Sequence, residues 1–139
     1  MKGKTVDQIK VGDIETYSRT VSESDVYLFG GVTGDLNPAH TDEEASAKTM
    51  FKGRIAHGML TASYVSTILG MYLPGPGTIF LSFECKFTKP VRFGDTITAK
   101  ITATDVNVEK NIVTFDAVCT NQNGDKVLVG KAVVMPPRA

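Results

Sequence analysis

Asp35 and His40 are the two residues of this sequence best suited to move a proton together. They stand five positions apart in the stretch GDLNPAH. Asn37-Pro38 lies between them and predicts a rigid turn, because proline fixes its own φ and asparagine favours turns. A carboxylate and an imidazole that meet one substrate can divide the acid and base roles. The residues alone leave open the alternative that Asp35 caps a helix and His40 bonds to backbone.

A second candidate stretch is His57-Gly58-Met59, at the predicted start of a long helix. Amides in the first turn of a helix have no partner within it, and the helix dipole favours negative charge there. Because Gly58 would let a ligand carbonyl approach closely, the stretch predicts an oxyanion-type donor. Tight packing is the other explanation for this glycine. Ser66 shares a helix face with Met59 and Ala62, although a helical serine usually bonds the carbonyl one turn back.

Other familiar kinds of site are not indicated. His40 and His57 form no H-E-x-x-H motif, and a lone Asp and His fall short of the ligand set that a metal needs. The sequence has no G-x-S-x-G elbow, no phosphate loop ending in Lys-Ser/Thr and no G-x-G-x-x-G. Cys85 and Cys119 lack CxxC spacing, which predicts buried free thiols. We therefore expect neither a metal nor a cofactor.

Helices must position these residues in the first half of the chain. Ser22 predicts the N-cap of a first helix that Gly30-Gly31 ends, and Asp42–Lys48 predicts a second, short one. Residues 57–72 predict the longest helix, which is apolar nearly all round and is therefore expected to be buried.

From Thr78 onward the hydrophobic period changes to two, as half-buried strands require. Strands are predicted at Ile79–Phe87, Thr96–Val106, Ile112–Thr120 and Lys126–Met135. Turn residues at 108–111 and 121–125 join the last three strands, and Lys89–Asp95 separates the first two. One buried helix followed by an antiparallel meander indicates an α+β fold in which a sheet wraps around a helix.

Composition and charge narrow the classes of function. The 139 residues hold 15 Lys+Arg and 15 Asp+Glu, and a net charge of zero argues against a nucleic-acid module. This length fits one domain over residues 1–139, which can bury a core without disulfides. The N-terminus lacks the apolar region of a signal peptide, and no apolar run reaches the ~18 residues of a membrane span. We therefore expect a cytoplasmic protein with no membrane partner.

The charge is uneven along the chain. Residues 21–48 hold six acids and one lysine, a net charge of −5, whereas residues 49–92 hold five basic residues and one acid, a net charge of +4. Two solvated faces would explain this pattern. The basic residues are Lys52, Arg54, Lys86, Lys89 and Arg92.

Tyr27–His40, and GDLNPAH above all, resembles the signature of the MaoC-like, (R)-specific enoyl-CoA hydratases. The HGML stretch and the F-x-x-P-V-x-x-G-D pattern of residues 87–95 fit the same family, and the resemblance runs from Val11 to Met135. Ala39 is smaller than the branched aliphatic residue usual at its position. The resemblance implies a hot-dog fold that builds its sites in a homodimer or a higher assembly of dimers. It also implies reversible hydration of trans-2-enoyl-CoA to the (R)-3-hydroxyacyl-CoA.

The resemblance further implies roles for five residues. Asp35 and His40 would be the catalytic pair, and Asn37 would support their loop. The amide of Gly58 would bind the thioester carbonyl, and Ser66 would support the arrangement of the site. His57 lies within the family motif, but its place at the helix start predicts a structural role.

An acyl-CoA substrate would give the basic segment a purpose, because some of its five side chains could meet the phosphates. Candidates for the acyl tunnel are Met59, Leu60, Tyr64, Met71 and Tyr72, although each fits a core position better. Three alternatives stay open: a dehydratase of acyl-carrier-protein thioesters, a hot-dog thioesterase, and a non-catalytic module that binds acyl thioesters. The thioesterases lack the GDLNPAH signature.

Overall fold

The computed structural model describes residues 2–139, which form five strands, four α-helices and a short 3₁₀ helix at Val6–Gln8. The helices are α1 (Glu23–Thr33), α2 (Pro38–Thr41), α3 (Glu43–Ala47) and α4 (Gly58–Met71). The strands are β1 (Ile14–Thr20), β2 (Ile79–Phe87), β3 (Thr96–Asn107), β4 (Ile112–Thr120) and β5 (Lys126–Met135). The four predicted strands are confirmed, and the only change in their bounds is that β3 continues to Asn107.

All five strands form one antiparallel sheet in the order β1-β3-β4-β5-β2. The predicted turns connect β3, β4 and β5 as neighbours. Asn111 takes a φ of 55° in the first turn and Gly124 a φ of 79° in the second, the left-handed region that these residue types tolerate. β1 and β2 each pair with one strand only, so they form the two edges of the sheet.

The helix α4 lies against this sheet and shares the hydrophobic core with it. Its buried residues are Thr61, Ala62, Tyr64, Val65, Ile68 and Leu69. Inward-facing side chains of the central strands, such as Ile101, Phe115 and Val134, complete the core. The alternate burial along β3 and β4 accounts for the period of two in their sequences. The predicted α+β arrangement of a sheet around a long helix is confirmed.

The expectation that α4 is buried on all sides is wrong for the single chain. Its residues Met59, Ser66 and Met71 are exposed, and so is Tyr72 just after its end. An apolar sequence favours burial all round, but a single sheet covers only one side of a helix. The other side of α4 is open in one chain.

The strand β1 was not predicted from the sequence. None of its seven residues is buried, and its two large apolar side chains, Ile14 and Tyr17, are three positions apart, so its sequence lacks a hydrophobic period of two. Backbone pairing with β3 holds it, helped by hydroxyl bonds of 2.7 Å that join Ser18 to Thr98 and Thr20 to Thr96. Long-range pairing of this kind leaves little signal in the local sequence.

The helix α1 begins where predicted and ends later than predicted. Ser22 Oγ accepts a hydrogen bond from Asp25 N at 3.0 Å, which confirms the N-cap. The helix continues through Gly30 and ends at Gly34, whose φ is 82°. A Cβ on Gly30 would come within 3.1 Å of the Asp35 carbonyl oxygen and the Leu36 side chain. Gly30 therefore permits close packing inside the helix and does not stop it.

The remaining expectations concern α3, the thiols and the membrane. The predicted short helix is present as α3, and Asp42 is its N-cap, since its side chain accepts a bond from Ala45 N. Both cysteines are free; Cys119 is buried as expected, whereas Cys85 is only half-buried. Among residues 2–139, none of the helices has the length and apolar character that crossing a membrane requires.

Candidate active site

Short local hydrogen bonds shape the segment between α1 and α3. Asp35 Oδ1 accepts a bond from Asn37 N at 3.2 Å, and Asn37 Oδ1 accepts one from Ala39 N at 3.0 Å. Pro38 occupies the first position of α2, where a missing N–H costs nothing. His40 therefore stands in a short helix, where the sequence predicted only a turn. The structure places Asn37 as the cap that starts this helix.

His40 is buried, and its ring is oriented by one backbone carbonyl. Its Nδ1 donates to Ile55 O at 2.7 Å, and Ile55 N in turn donates to Ala39 O at 3.0 Å. Because a carbonyl can only accept, the hydrogen of the neutral ring lies on Nδ1, and Nε2 keeps a lone pair. Nε2 has no hydrogen-bond partner among residues 2–139. The alternative that His40 bonds to backbone is thus confirmed, and this bond leaves Nε2 available as a base.

His57 lies at the centre of the site, which the sequence did not indicate. Its ring stacks on that of His40, with centroids 3.8 Å apart and a tilt of 30°, and its other side faces Phe29 at 5.0 Å. Its Nε2 donates to Asp35 O at 2.8 Å, so this ring carries its hydrogen on Nε2. Nδ1 is buried without a partner. His57 is the N-cap residue of α4, as its predicted structural role implied, but it also contacts both residues of the predicted pair.

Asp35, His40 and His57 thus form one cluster, in which a donor atom from each lies within 4.8 Å of the others. Two rings that stack are poorly placed to point at one ion about 2 Å away, and each ring gives one nitrogen to a carbonyl. The Asp35 side chain is 53% exposed, whereas both rings are buried. The cluster presents an accessible carboxylate beside an imidazole lone pair, which suits the transfer of a proton to and from water.

Gly58 is the first residue of α4, directly after His57 in the chain. Its N–H has no acceptor within the described part of the chain, as expected for the first turn of a helix. A Cβ at this position would lie 2.9 Å from two ring carbons of Phe87 on β2. Gly58 therefore fits both explanations, because it allows tight packing against Phe87 and its amide is also an unpaired donor.

Ser66 lies two turns further along α4, about 12 Å from Gly58 along the helix axis. It is exposed on the open side of the helix. The bond to a carbonyl one turn back, which the sequence favoured for Ser66, is made by Ser63 and Thr67 instead. The Ser66 hydroxyl has no hydrogen-bond partner in residues 2–139, so within one chain the structure does not join it to the cluster.

A cavity of about 410 Å³ opens beside the N-terminus of α4. Its lining is mainly apolar and includes Ile55, Gly58, Met59, Thr61, Phe87 and Val91. Thr61 Oγ1 is buried there without a hydrogen-bond partner. Neither Asp35 nor His40 lines this cavity. The apolar space adjoins the proton-transfer groups through residues 55–58, since Ile55 and Gly58 line it, Ile55 O bonds His40 and His57 bonds Asp35 O.

The two arginines of the basic segment bond to the protein itself. Arg54 donates to Glu43 at 2.8 Å and to Glu23 at 2.9 Å, and it holds the pKa of the Glu23 carboxyl below its usual range. Arg92 donates to the carbonyl oxygens of Phe51 and Gly53. Both guanidinium groups are engaged, so the expectation of phosphate contacts is not supported for them.

The lysines of this segment differ from the arginines. Lys89 pairs with Asp125 at 2.5 Å but keeps 49% of its side chain exposed. Lys52 and Lys86 are exposed and form no ion pair within residues 2–139.

Comparison with known proteins decides the family. A family model described as a MaoC like domain matches residues 8–123. The chain belongs to the MaoC-like family. It is 49% identical to an (R)-specific enoyl-CoA hydratase of Rhodospirillum rubrum over 131 residues, which cover 94% of this chain and 90% of that protein. It is 38% identical to a 3-hydroxybutyryl-CoA dehydratase of Methylorubrum extorquens over 133 residues, covering 95% and 83%.

The solved structures of other MaoC-like proteins agree with this assignment. The unliganded R-hydratase PhaJ1 from Pseudomonas aeruginosa superposes with a TM-score of 0.92 at 37% identity, covering 99% of this chain and 88% of that one. The predicted family and the predicted hot-dog fold are therefore confirmed. The family match covers the whole candidate site, from Asp35 to Ser66.

Proposed function

We propose that this MaoC-like protein is an (R)-specific enoyl-CoA hydratase, a hydro-lyase that interconverts trans-2-enoyl-CoA and (R)-3-hydroxyacyl-CoA. One observation supports it above all. The exposed Asp35 carboxylate and the His40 ring lie within 4.8 Å of each other. The unpaired amide at the start of α4 follows His57, which bonds to Asp35 O. Proton-transfer groups and a carbonyl-binding amide are what hydration of an enoyl thioester requires.

The proposed reaction adds water across one double bond. The water oxygen bonds to C3 of the enoyl chain, and one proton is delivered to C2, so no net proton is taken up or released. Negative charge develops on the thioester oxygen during addition, and the Gly58 N–H would stabilise it by a few kcal/mol. Asp35 and His40 would hold the water, take one of its protons and return one to C2.

The hydrogen bonds of the site leave one acceptor atom free on His40 and one on Asp35 for proton transfer. His40 Nδ1 is committed to Ile55 O, so Nε2 is the ring nitrogen that can accept a proton. Asp35 is held by Asn37 N and by the bond from His57 to its carbonyl, while its Oδ2 stays open. Asn37 supports the site by capping α2. The (R) configuration of the product is supported by the 49% identity to an (R)-specific enoyl-CoA hydratase.

We further propose that the functional unit is a homodimer in which β2 is part of the interface. Four large apolar residues of β2, an edge strand, are exposed: Ile79, Phe80, Leu81 and Phe87. The open side of α4 adds Met59, Met71 and Ser66. A partner over these surfaces would cover apolar area that a soluble monomer rarely exposes. It would also bring Ser66 into a closed site.

The dimer has its own test, the mass of the protein in solution measured by light scattering. Leu81→Lys places a charge on the β2 edge and should convert the dimer to monomer. Val108→Lys is the matched control, because Val108 is an apolar residue exposed in the β3–β4 turn, away from this edge. A wild-type monomer would contradict the proposal, and so would a dimer that Leu81→Lys leaves intact.

The activity is tested by following hydration of enoyl-CoA thioesters of increasing chain length, with chiral analysis of the product. We expect turnover of crotonyl-CoA or a longer homologue to the (R) product. Binding without turnover would indicate a non-catalytic module, and release of free thiol a thioesterase. If only acyl-carrier-protein thioesters are turned over, the acyl carrier is that protein and not CoA. The protein would then be a 3-hydroxyacyl-[acyl-carrier-protein] dehydratase.

The cellular location is proposed to be the cytoplasm. Both cysteines are free thiols, and unpaired cysteines are usual where the compartment is reducing. Fractionation of cells that produce the protein tests this directly.

A further inference from the structure

We propose that Arg54 is a positioning residue of the active site: its guanidinium ties α1 to α3 and thereby fixes the segment between them that holds Asp35 and His40. The inference rests on the proposed function for its catalytic readout. It extends that function to a residue that touches neither the water nor the thioester.

The contacts of Arg54 reach both helices at once. Nε donates to Glu43 Oε2 at 2.8 Å, and the backbone N donates to the same oxygen at 3.3 Å. Nη1 donates to Glu23 Oε1 at 2.9 Å and to the Tyr27 hydroxyl. The guanidinium carbon lies 4.8 Å from the centre of the Phe93 ring, which supports it from below by a cation–π contact. One side chain thus joins the first half of α1, the start of α3 and the loop before β3.

Arg54 adds to a small set of contacts that hold α1, which includes the pair of Arg19 with Asp25 and the contact of Phe29 with His57. Only Val26 and Gly30 of its eleven residues are buried. Leu28 and Val32 are 69% and 80% exposed. Asp35 follows the end of α1 after a single glycine, so any tilt of the helix moves its carboxylate. A rigid helix transmits displacement along its whole length, which here is about 16 Å.

The residues next to Arg54 hold the other end of the same segment. Ile55 O orients His40, Ile55 N bonds Ala39 O, and His57 bonds Asp35 O. Ala56 N donates to Val91 O at 2.8 Å, which fastens this stretch to the loop before β3. Residues 54–57 therefore act together. The Arg54 side chain fixes the positions of α1 and α3, and the backbone and side-chain bonds of the next three residues fix the segment that holds Asp35 and His40.

This arrangement pairs two of the six acids of one charged stretch with one of the five basic residues of the other. Glu23 and Glu43 belong to the acidic stretch 21–48, and Arg54 belongs to the basic stretch 49–92. The two stretches meet at the guanidinium, whose planar fork holds its N–H donors in a fixed geometry that the compact ammonium of a lysine lacks. Arg54→Lys would therefore keep the charge but hold the two carboxylates less rigidly.

The test compares Arg54→Met with Arg19→Met. Arg19 makes a bidentate pair with Asp25 of α1, at 2.7 and 3.0 Å, but it has no contact with α3 or the catalytic segment. Arg19→Met therefore removes an arginine–carboxylate pair from the same helix and leaves the proposed tie intact. For each variant, kcat and KM for crotonyl-CoA hydration and amide hydrogen exchange of residues 34–42 are measured.

For Arg54→Met we expect kcat to fall about 10- to 100-fold with KM changed by less than about threefold, because misplaced groups lose transition-state stabilisation more than binding. Exchange of residues 34–42 should be faster. Arg54→Lys should recover part of kcat. Arg19→Met should keep kcat within about twofold of wild type and leave this exchange unchanged.

The kinetic results that would overturn the proposal are a kcat of Arg54→Met within about twofold of wild type and equal losses in both methionine variants. Unchanged exchange at 34–42 in Arg54→Met would also refute it. If the wild-type protein hydrates no enoyl thioester, the proposed function fails, and the exchange comparison still decides whether Arg54 fixes the segment.

Discussion

Replacing Gly58 by alanine separates its two roles, packing and carbonyl binding. The added Cβ would lie 2.9 Å from Phe87 Cδ1 and Cε1, so the ring must move by roughly 0.5 Å or more to reach ordinary contact. Overpacking of this kind costs about 1 to 3 kcal/mol, and removing glycine from a helix returns up to about 1 kcal/mol. Since these two effects partly offset each other, we expect a net destabilisation of about 1 kcal/mol, or roughly 3 °C in Tm.

The assay combines urea unfolding with crotonyl-CoA hydration for Gly58→Ala, Phe87→Leu and the double variant. The smaller side chain should relieve the clash, so the double variant should be no less stable than Phe87→Leu alone. If the amide of residue 58 binds the thioester carbonyl, the new methyl group hinders the approach. The activity of the double variant should then stay below that of Phe87→Leu. Equal activity would refute carbonyl binding at this amide, and equal stability of wild type and Gly58→Ala would refute the packing estimate.

The remaining predictions concern the stability of the protein at low pH, its hydrophobic core and its contacts with the phosphates of CoA. Arg19 holds the pKa of Asp25 at about 2, below its usual 3.8. This pair therefore stabilises the fold above about pH 4 by roughly 1 kcal/mol, and the gain is lost as pH falls from 4 to 2. Urea unfolding of Asp25→Asn should show the deficit at pH 7 and not near pH 2. Phe115 is fully buried between β3 and β5, so Phe115→Ala should cost about 3 to 5 kcal/mol in urea unfolding, and a loss below about 1 kcal/mol would contradict its place in the core. If exposed lysines such as Lys86 meet CoA phosphates, KM for crotonyl-CoA should rise several-fold between about 50 and 500 mM salt, and a constant KM would argue against them.

The sequence predicted the second half of the fold better than the first. β2 to β5 could be located because Val, Ile, Thr and Phe are frequent in them and tend to recur at alternate positions. β1 could not be located in this way, because its two large apolar side chains, Ile14 and Tyr17, are three positions apart and lie on opposite faces of the strand. Gly30 misled the prediction of the α1 boundary, because glycine serves close packing as well as helix ends. Apolar residues lie nearly all round α4, including on the side that a single chain leaves exposed.

The candidate site could be predicted in its residues but not in its connections. Asp35, His40 and Asn37 follow from one short motif, and the structure places them together. The contact of His57 with the pair depends on a stacking that joins two helix starts 17 residues apart, and no local pattern encodes it. In the sequence, only the HGML stretch and the scarcity of histidine drew attention to His57. Arg54 was only one of five basic residues of which some were expected to meet phosphate, because a charge count cannot tell a paired guanidinium from a free one.

The most direct measurement is the rate of crotonyl-CoA hydration by Asp35→Asn and His40→Asn. In His40→Asn, the side-chain amide of the introduced asparagine can keep the bond to Ile55 O that the imidazole Nδ1 makes, so the fold around it should be preserved. Glu44→Gln is the control, since Glu44 is an exposed acid nearby that makes no hydrogen bond within residues 2–139. Loss of the carboxylate or of the imidazole should lower kcat at least ~100-fold in a protein with unchanged circular dichroism, while Glu44→Gln stays within about twofold. Wild-type activity in either folded variant would contradict the assignment of Asp35 and His40 as the proton-transfer pair.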